Sequence, residues 1–352
     1  MSAKLTKVAL KTRESGVEHQ TSVQCSRRLS VAPMMEWTDR HCRVFHRQYS
    51  KRTLLYTEML TANALLHGDP ERWLKHSAAE YPLALQLGGS VPEDLGRAVA
   101  IARDFGFAEI NLNCGCPSDR VQNGAFGACL MRTPELVADC VSAMIEAAGN
   151  GPEITVKCRI GVDDQDPSQV LPDFVDQVAA RGVRSFAVHA RKAWLKGLSP
   201  KENRTIPPLD YDLVRKLKRD RPDLEIVLNG GIDSLAAAKA HQSDFDGAMI
   251  GRAAYSDPTG ILADADAVIF GQADPAKDPV DVVLAMYPYI DAELAAGTRL
   301  HSITRHMLGA FAGRPGARRW RQILSNGATA PGAGLDLIDH ALTAVAPDRV
   351  AS

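Results

Sequence analysis

A chain of 352 residues, 45% hydrophobic and 24% charged, has an ordinary globular composition with room for one large domain and a smaller one. Its formal net charge of −1 makes no global case for a nucleic-acid or membrane partner, so the placement of the charges must decide. Seven cysteines without disulfide-framework spacing, and no run approaching about 18 apolar residues, argue against a disulfide-stapled secreted fold and a membrane span, and make the reducing cytoplasm the expected compartment.

Residues 1–28 carry Lys4, Lys7, Lys11, Arg13, Arg27 and Arg28 against Glu14 and Glu18, without the apolar centre of a signal peptide, and are expected to form a flexible tail. From residue 29 short β-branched runs alternate with amphipathic segments. The strands are expected at "SVAPM" (30–34), "TLLYTE" (53–58), "PLALQL" (82–87), "EINLN" (109–113), "ITVKCR" (154–159), "SFAVHA" (185–190), "EIVLNG" (225–230) and "GAMIG" (247–251). Between them, 91–106 and 133–149 show helical spacing, the second opened by Thr133 and Pro134 as cap and first-turn residues. Such units suit a doubly wound open sheet as well as a closed barrel, and the count alone does not decide. Reactive side chains at successive strand ends favour the barrel, whose strand ends converge on one mouth. The expected fold class is therefore α/β: a (β/α)8 TIM barrel over residues 29–270, then a smaller all-helical domain over 279–345, joined by the Pro/Asp-rich "GQADPAKDPVD" (271–281).

In that last region, 279–297, 299–311 and 314–327 each show an apolar stripe. In "RPGARRWRQILSNG" a helix is expected over about 315–325, with Pro315 in its first turn and Asn326-Gly327 as its stop. Trp320, Ile323 and Leu324 then share one face, and Arg318, Arg319 and Arg321 fan out from the other side. Arg299 to Arg321 holds six arginines, two histidines and no acidic residue, a local excess that the total charge conceals.

The strand ends carry the chemistry. Asn229-Gly230-Gly231 after strand seven and Gly251-Arg252 after strand eight lie where this fold commonly binds phosphate: glycines let backbone N–H groups approach an anion, and a helix N-terminus favours negative charge. Tight turns alone also explain either pair; both together favour a phosphorylated ligand. Lys157 and Arg159 alternate on strand five and point the same way, into the mouth. A lysine beside a flavin's pyrimidine edge stabilises the charge that gathers there on reduction, Gln86 can bond the same ring as donor and acceptor, and His189 can meet a phosphate or a ring carbonyl; a strand-end salt bridge, a solvated amide and a structural histidine are the plain alternatives. Cys114 and Cys116 are too close for an easy disulfide, and no second pair completes a zinc site, so no metal is expected. Pro117 and Ser118 set Cys116 in a loop at the mouth, where a thiol, mostly protonated at neutral pH, can act as a general acid.

The segments "APMMEWTDRHCR" (32–43), "LNCGCPSDRVQNGAFGACLM" (112–131), "VKCRIGVDD" (156–164), "VHARKAWLKGLSPKENR" (188–204) and "LNGGI" (228–232) resemble the tRNA-dihydrouridine synthases, and the long fourth segment is similar to the bacterial subfamily acting on D-loop positions 20 and 20a. The resemblance covers roughly residues 29–330. It implies an FMN-binding barrel, a helical tRNA-binding domain, and NADPH as reducing co-substrate. By motif, Pro33, Met34, Met35, Gln86, Lys157 and His189 would contact the flavin, and Asn229, Gly230, Gly231, Gly251 and Arg252 its phosphate. Cys116 matches the proton donor to uracil carbon 5, with hydride reaching carbon 6 from reduced FMN. Asn113 and Arg159 match residues near the target uracil, and Arg191, Lys201 and Arg204, with Arg305, Arg318 and Arg321 of the helical domain, are expected against the RNA. Cys114 stands where an apolar residue is expected, and Glu36 where an Asp is more usual.

Two rival readings remain: an FMN barrel reducing a small molecule, which has no need of the basic C-terminal patch, and an RNA-binding protein keeping the barrel as scaffold, which has no need of Cys116 and Lys157. No membrane and no obligate protein partner are expected, and a monomer suits an enzyme that wraps a large RNA.

Overall fold

The computed structural model describes residues 23–118, 121 and 124–350. Strands β1 (Leu29–Val31), β2 (Leu54–Thr61), β3 (Leu83–Gly88), β4 (Glu109–Cys114), β5 (Glu153–Arg159), β6 (Ser185–His189), β7 (Glu225–Asn229) and β8 (Gly247–Ile250) pair in sequence order, all in parallel, and β8 closes on β1. All eight expected strands are present, and the ring is a closed barrel, not an open sheet.

Helices α1 (Arg40–Tyr49), α2 (Ala62–His67), α3 (Pro70–Leu74), α4 (Pro92–Ala102), α5 (Pro134–Ala148), α6 (Pro167–Ala179), α7 (Tyr211–Asp220) and α8 (Leu235–His241) return the chain between strands. Strand side chains alternate in direction. One set, including Leu112, Val156, Val188 and Leu228, packs under the helices; the other, including Leu54, Tyr56, Ala84, Ala187, Val227 and Met249, fills the barrel interior. Cys114 belongs to the first set, is fully buried, and serves as a small hydrophobe.

The expected tail ends too late. Val23, Ser26 and Arg27 are buried, and Arg27 reaches into the barrel floor. Its guanidinium donates to Glu109 Oε2 at 2.7 Å, Glu225 Oε2 at 2.6 Å and Glu153 Oε2 at 2.6 Å. Three strands bring carboxylates to one low-dielectric spot, which requires a cation, and Arg27 supplies it. Residues 1–22 lie outside the described residues.

After β8 come α9 (Arg252–Ser256), α10 (Pro258–Leu262) and α11 (Ala265–Val268), then a strandless region of α12 (Pro279–Ala285), α13 (Tyr287–Ala295), α14 (Leu300–Thr304), α15 (Ala317–Gly327), α16 (Leu335–Leu342) and α17 (Pro347–Val350). Three expectations need adjustment. The segment 279–297 is two helices, divided where Pro288 opens α13. In 299–311 only α14 is helical, and turns follow it. Helix α15 starts at Ala317, because Gly316 before it has φ of 81° and any side chain there would strike Ala344 O at 1.8 Å; Pro315 lies outside the helix.

Candidate active site

The carboxyl ends of the strands bring Gln86, Asn113, Lys157, Arg159, His189 and Asn229 to one end of the barrel. On β4, Glu109, Asn111 and Asn113 share the inward face, from floor to rim. Asn113 closes the strand: its Oδ1 accepts from the Gly115 and Cys116 N–H groups, both at 3.0 Å, and its Nδ2 donates to Gln86 Oε1 at 2.8 Å. Cys116 is half-buried, its thiol donating to Ser118 Oγ at 3.5 Å, while its carbonyl accepts from Ala128 N at 2.9 Å. Gly127 makes that contact possible: at φ of 76°, a Cβ there would lie 2.6 Å from Cys116 O.

Gln86 is 1% exposed, and its amide meets Asn113 on one side and Asn111 on the other, leaving one N–H and one lone pair for any further partner. Lys157 Nζ donates to Asn229 Oδ1 at 3.0 Å, and Asn229 Nδ2 to Met249 O at 2.8 Å. Burial, and then Arg159, pull Lys157 down to about 8. Arg159 is 3% exposed and spans the rim, donating to the carbonyls of Gly115 at 2.9 Å, Lys192 at 3.0 Å and Asn203 at 2.9 Å. These bonds use Nε and Nη1 and tie the Cys116 loop to the loop after β6, leaving the Nη2 donors of a residue expected near the target uracil. Burial leads, and Arg204 and Arg191 contribute, in lowering it to about 10.

His189 lies against Gly230, where a Cβ would come within 2.5 Å of the imidazole. Burial, then Arg159, Lys157, Arg191 and Arg204, hold His189 well below its ordinary value, so the ring is neutral at pH 7. Gly230 and Gly231 have φ of 107° and 71°, and Tyr211 OH donates to Gly230 O at 2.6 Å. Met34 lies beside Gly251, its Sδ 3.8 Å from where a Cβ would stand; Met35 is 55% exposed, and Pro33 lies in the segment that joins β1 to α1.

Arg252, Arg204 and Lys201 are exposed, and Arg191 donates to Pro207 O while its Nε is buried without a partner. Beyond burial, Arg159 lowers Lys157, Arg204 and Arg191 lower Arg159, and Arg252 lowers both Arg191 and Arg204. Such a set of cations repels itself until an anion arrives. An orphaned guanidinium N–H and two glycines of positive φ, where any side chain would strike His189 or Leu209, fit a phosphorylated, anionic group.

Three residues expected against RNA lie in the helical region. Arg318 and Arg321 are exposed on α15, with Trp320, Ile323 and Leu324 buried on its other face. Arg305 is engaged within the protein: its Nη2 donates to Asp39 Oδ2 at 2.6 Å, and His306 Nε2 meets the same oxygen at 3.0 Å. Sequence reasoning missed Asp39, Asn111 and Thr155. For Asn111 a signal existed, since polar residues at 109, 111 and 113 of an otherwise apolar strand mark an inward polar rank.

Strand ends that gather Lys157, Arg159, Arg191 and Arg204 beside paired glycines define a (β/α)8 barrel with a cationic mouth. The chain belongs to the dihydrouridine synthase family, whose profile matches residues 30–346. It is 56% identical over 336 residues to the tRNA-dihydrouridine(20/20a) synthase of Escherichia coli (strain K12), covering 95% of this chain and 96% of that one. It is also 56% identical over 319 residues to the enzyme of the same description from Vibrio parahaemolyticus, covering 90% of this chain and 97% of that one. Among solved structures, an old yellow enzyme homologue from Zymomonas mobilis is similar with a TM-score of 0.49 and 15% identity, over 72% of this chain and 91% of that one, too loose a likeness to bear on chemistry.

Proposed function

We propose that the protein is an FMN-dependent tRNA-dihydrouridine synthase that reduces uridines 20 and 20a of the tRNA D-loop to 5,6-dihydrouridine, with NADPH as reducing co-substrate. Its relatives carry that substrate in their descriptions. The observation that carries the reading is the half-buried Cys116, its backbone N–H held by Asn113 and its thiol within electrostatic reach of Lys157 and Arg159.

The chemistry such a site would draw from bound, reduced FMN is a hydride for uracil carbon 6. The chain's own residues do the rest. Gly230, Gly231 and Gly251 offer backbone to the phosphate, with Asn229 behind them and Arg252 adding charge. Lys157, the free valences of Gln86, the neutral His189 and the Pro33–Met35 backbone would hold the ring, with Lys157 stabilising the charge that gathers on it on reduction. Cys116 gives its proton to carbon 5, and Lys157, Arg159 and Arg204, all within electrostatic reach of its sulfur, stabilise the thiolate left behind until solvent reprotonates it. Asn113 holds both the Cys116 loop and a place beside the target base. Arg191, Lys201 and Arg204 at the rim, and Arg318 and Arg321 on α15, meet the RNA backbone. The target base must leave the folded RNA to reach the mouth. A cytoplasmic monomer fits this role.

The test is reconstitution. Purified protein supplied with FMN and NADPH should convert uridines 20 and 20a of unmodified tRNA, mapped nucleotide by nucleotide. Protein that stays colourless after incubation with FMN would remove the flavin; conversion at other positions only would remove the site assignment.

A further inference from the structure

A line of side-chain hydrogen bonds runs through the barrel from floor to mouth. Glu109 Oε2 accepts from Arg27 at 2.7 Å, and its Oε1 accepts from Tyr56 OH at 2.5 Å and Thr155 Oγ1 at 2.6 Å. Thr155 Oγ1 accepts from Asn111 Nδ2 at 2.8 Å, Asn111 Oδ1 from Gln86 Nε2 at 2.8 Å, and Gln86 Oε1 from Asn113 Nδ2 at 2.8 Å. The line ends where Asn113 Oδ1 accepts the Gly115 and Cys116 N–H groups at 3.0 Å. Every member is at least nine-tenths buried: Glu109 0%, Thr155 2%, Asn111 0%, Gln86 1% and Asn113 8% exposed.

The direction of this line follows from its lower end. A carboxylate paired with a guanidinium only accepts, so Thr155 must give Glu109 its single proton and turns lone pairs toward Asn111. Asn111 must then present its NH2 to Thr155 and its carbonyl to Gln86, and the same logic orients Gln86 and then Asn113. Reversing any amide would set two donors, or two acceptors, face to face in a buried site, which costs far more than one bond in water. On the floor's third carboxyl, burial outweighs Arg27 and, with Glu153 and Glu109 adding to it, raises Glu225 to about 7.

We propose that Thr155 and Asn111 are positioning residues, which transmit the polarity of the Glu109 carboxylate to the amides of Gln86 and Asn113 and so hold the Gly115–Cys116 backbone in place. Neither touches the mouth. Their effect on uridine reduction rests on the reading of Cys116 as proton donor; their effect on the loop does not.

The experiment compares Thr155→Val, which keeps shape and removes the hydroxyl, with Thr155→Ser, which restores it, and with Val178→Ala, a buried change on α6 remote from the line. The rate of Cys116 alkylation by iodoacetamide is followed by peptide mass in the full-length protein as isolated. Thr155→Val should react roughly two- to tenfold faster, the range one net hydrogen bond is worth. Thr155→Ser and Val178→Ala should react as the wild type does. In parallel, Thr155→Val should lower the turnover number for uridine reduction while leaving KM for tRNA unchanged. A wild-type alkylation rate in Thr155→Val, or an equal acceleration in Val178→Ala, would overturn the proposal. A wild-type protein that reduces no uridine would sink the functional reading and leave the alkylation comparison standing. If Thr155→Val does not fold, Asn111→Ala carries the same comparison, with water able to occupy the polar space it opens.

Discussion

Cys114 and Cys116 stand two residues apart at one strand end and differ in everything that decides chemistry. Cys114 points outward under the helices, fully buried, with burial and then Cys158 raising its pKa well above the ordinary value. Cys116 faces the mouth on a loop fixed by Asn113 and Gly127. Cys116→Ala should therefore keep FMN and tRNA binding and lose uridine reduction by a factor of about 10²–10⁴, the usual contribution of a general acid, whereas Cys114→Ala should be mild. Near-normal single-turnover rates in Cys116→Ala would assign the proton to another group. Lys157 makes a separate prediction through pH. In the protein without FMN its pKa is about 8, so above that pH an anion that requires the ammonium form must bind together with a proton. The FMN dissociation constant should rise with pH above about 8, by up to about tenfold per unit, and Lys157→Met should bind more weakly with a flatter profile. Equal pH profiles in both proteins, read by flavin fluorescence, would detach Lys157 from the flavin.

At the scale of the element, helix α15 reads as its sequence does. Trp320 is fully buried, packs edge-on against Phe311 with ring centroids 4.9 Å apart, and donates its indole N–H to Met307 O at 3.2 Å. Arg318, Arg319 and Arg321 face out. Arg318→Ala with Arg321→Ala should weaken tRNA binding and flatten its log–log salt dependence by roughly one to two units, about one per lost phosphate contact. FMN binding should not change, because the barrel mouth carries it; an unaltered salt slope would make the fan a solvated surface. This helix was legible because period and charge agree over three turns. The floor was not. Arg27 sits in a basic stretch that reads as tail, and its three partners lie 82, 126 and 198 residues away on separate strands, so only closure of the barrel brings them together. The eight strands were legible from alternation, and the reactive rim from its place at strand ends. The line through Asn111 and Thr155 was not, because hydrogen-bond partners across neighbouring strands depend on register, which a single strand's sequence does not contain.

Across the whole molecule the two ends of the barrel differ in charge, with Glu109, Glu153 and Glu225 around Arg27 at the floor and Lys157, Arg159, Arg191 and Arg204 at the mouth. The helical region is fastened to the barrel by a polar seam along the start of α1: Arg40 pairs with Glu293, His41 Nδ1 meets Tyr289 OH at 2.7 Å, and Asp39 receives both Arg305 and His306. Burial pushes the Asp39 carboxyl up, yet His306, the Cys42 N–H and Arg305 outweigh it and hold the group well below the usual carboxylate range. Beside this seam Trp37 stacks on Tyr255 with centroids 4.5 Å apart. Arg305 therefore offers a clean contrast between two roles for one arginine. As a strap it acts through Asp39, so Arg305→Ala and Asp39→Asn, which keeps the N-cap of α1, should each lower the melting temperature, and the double variant should lose less than the sum, with a coupling of about 0.5–3 kcal/mol. As a phosphate contact it would act alone, reducing the salt slope of tRNA binding by about one unit with no coupling to Asp39. The expected outcome is strong coupling in thermal denaturation, with tRNA KM raised in all three variants and the salt slope unchanged. Additive melting losses with a reduced slope would return Arg305 to the RNA-binding face.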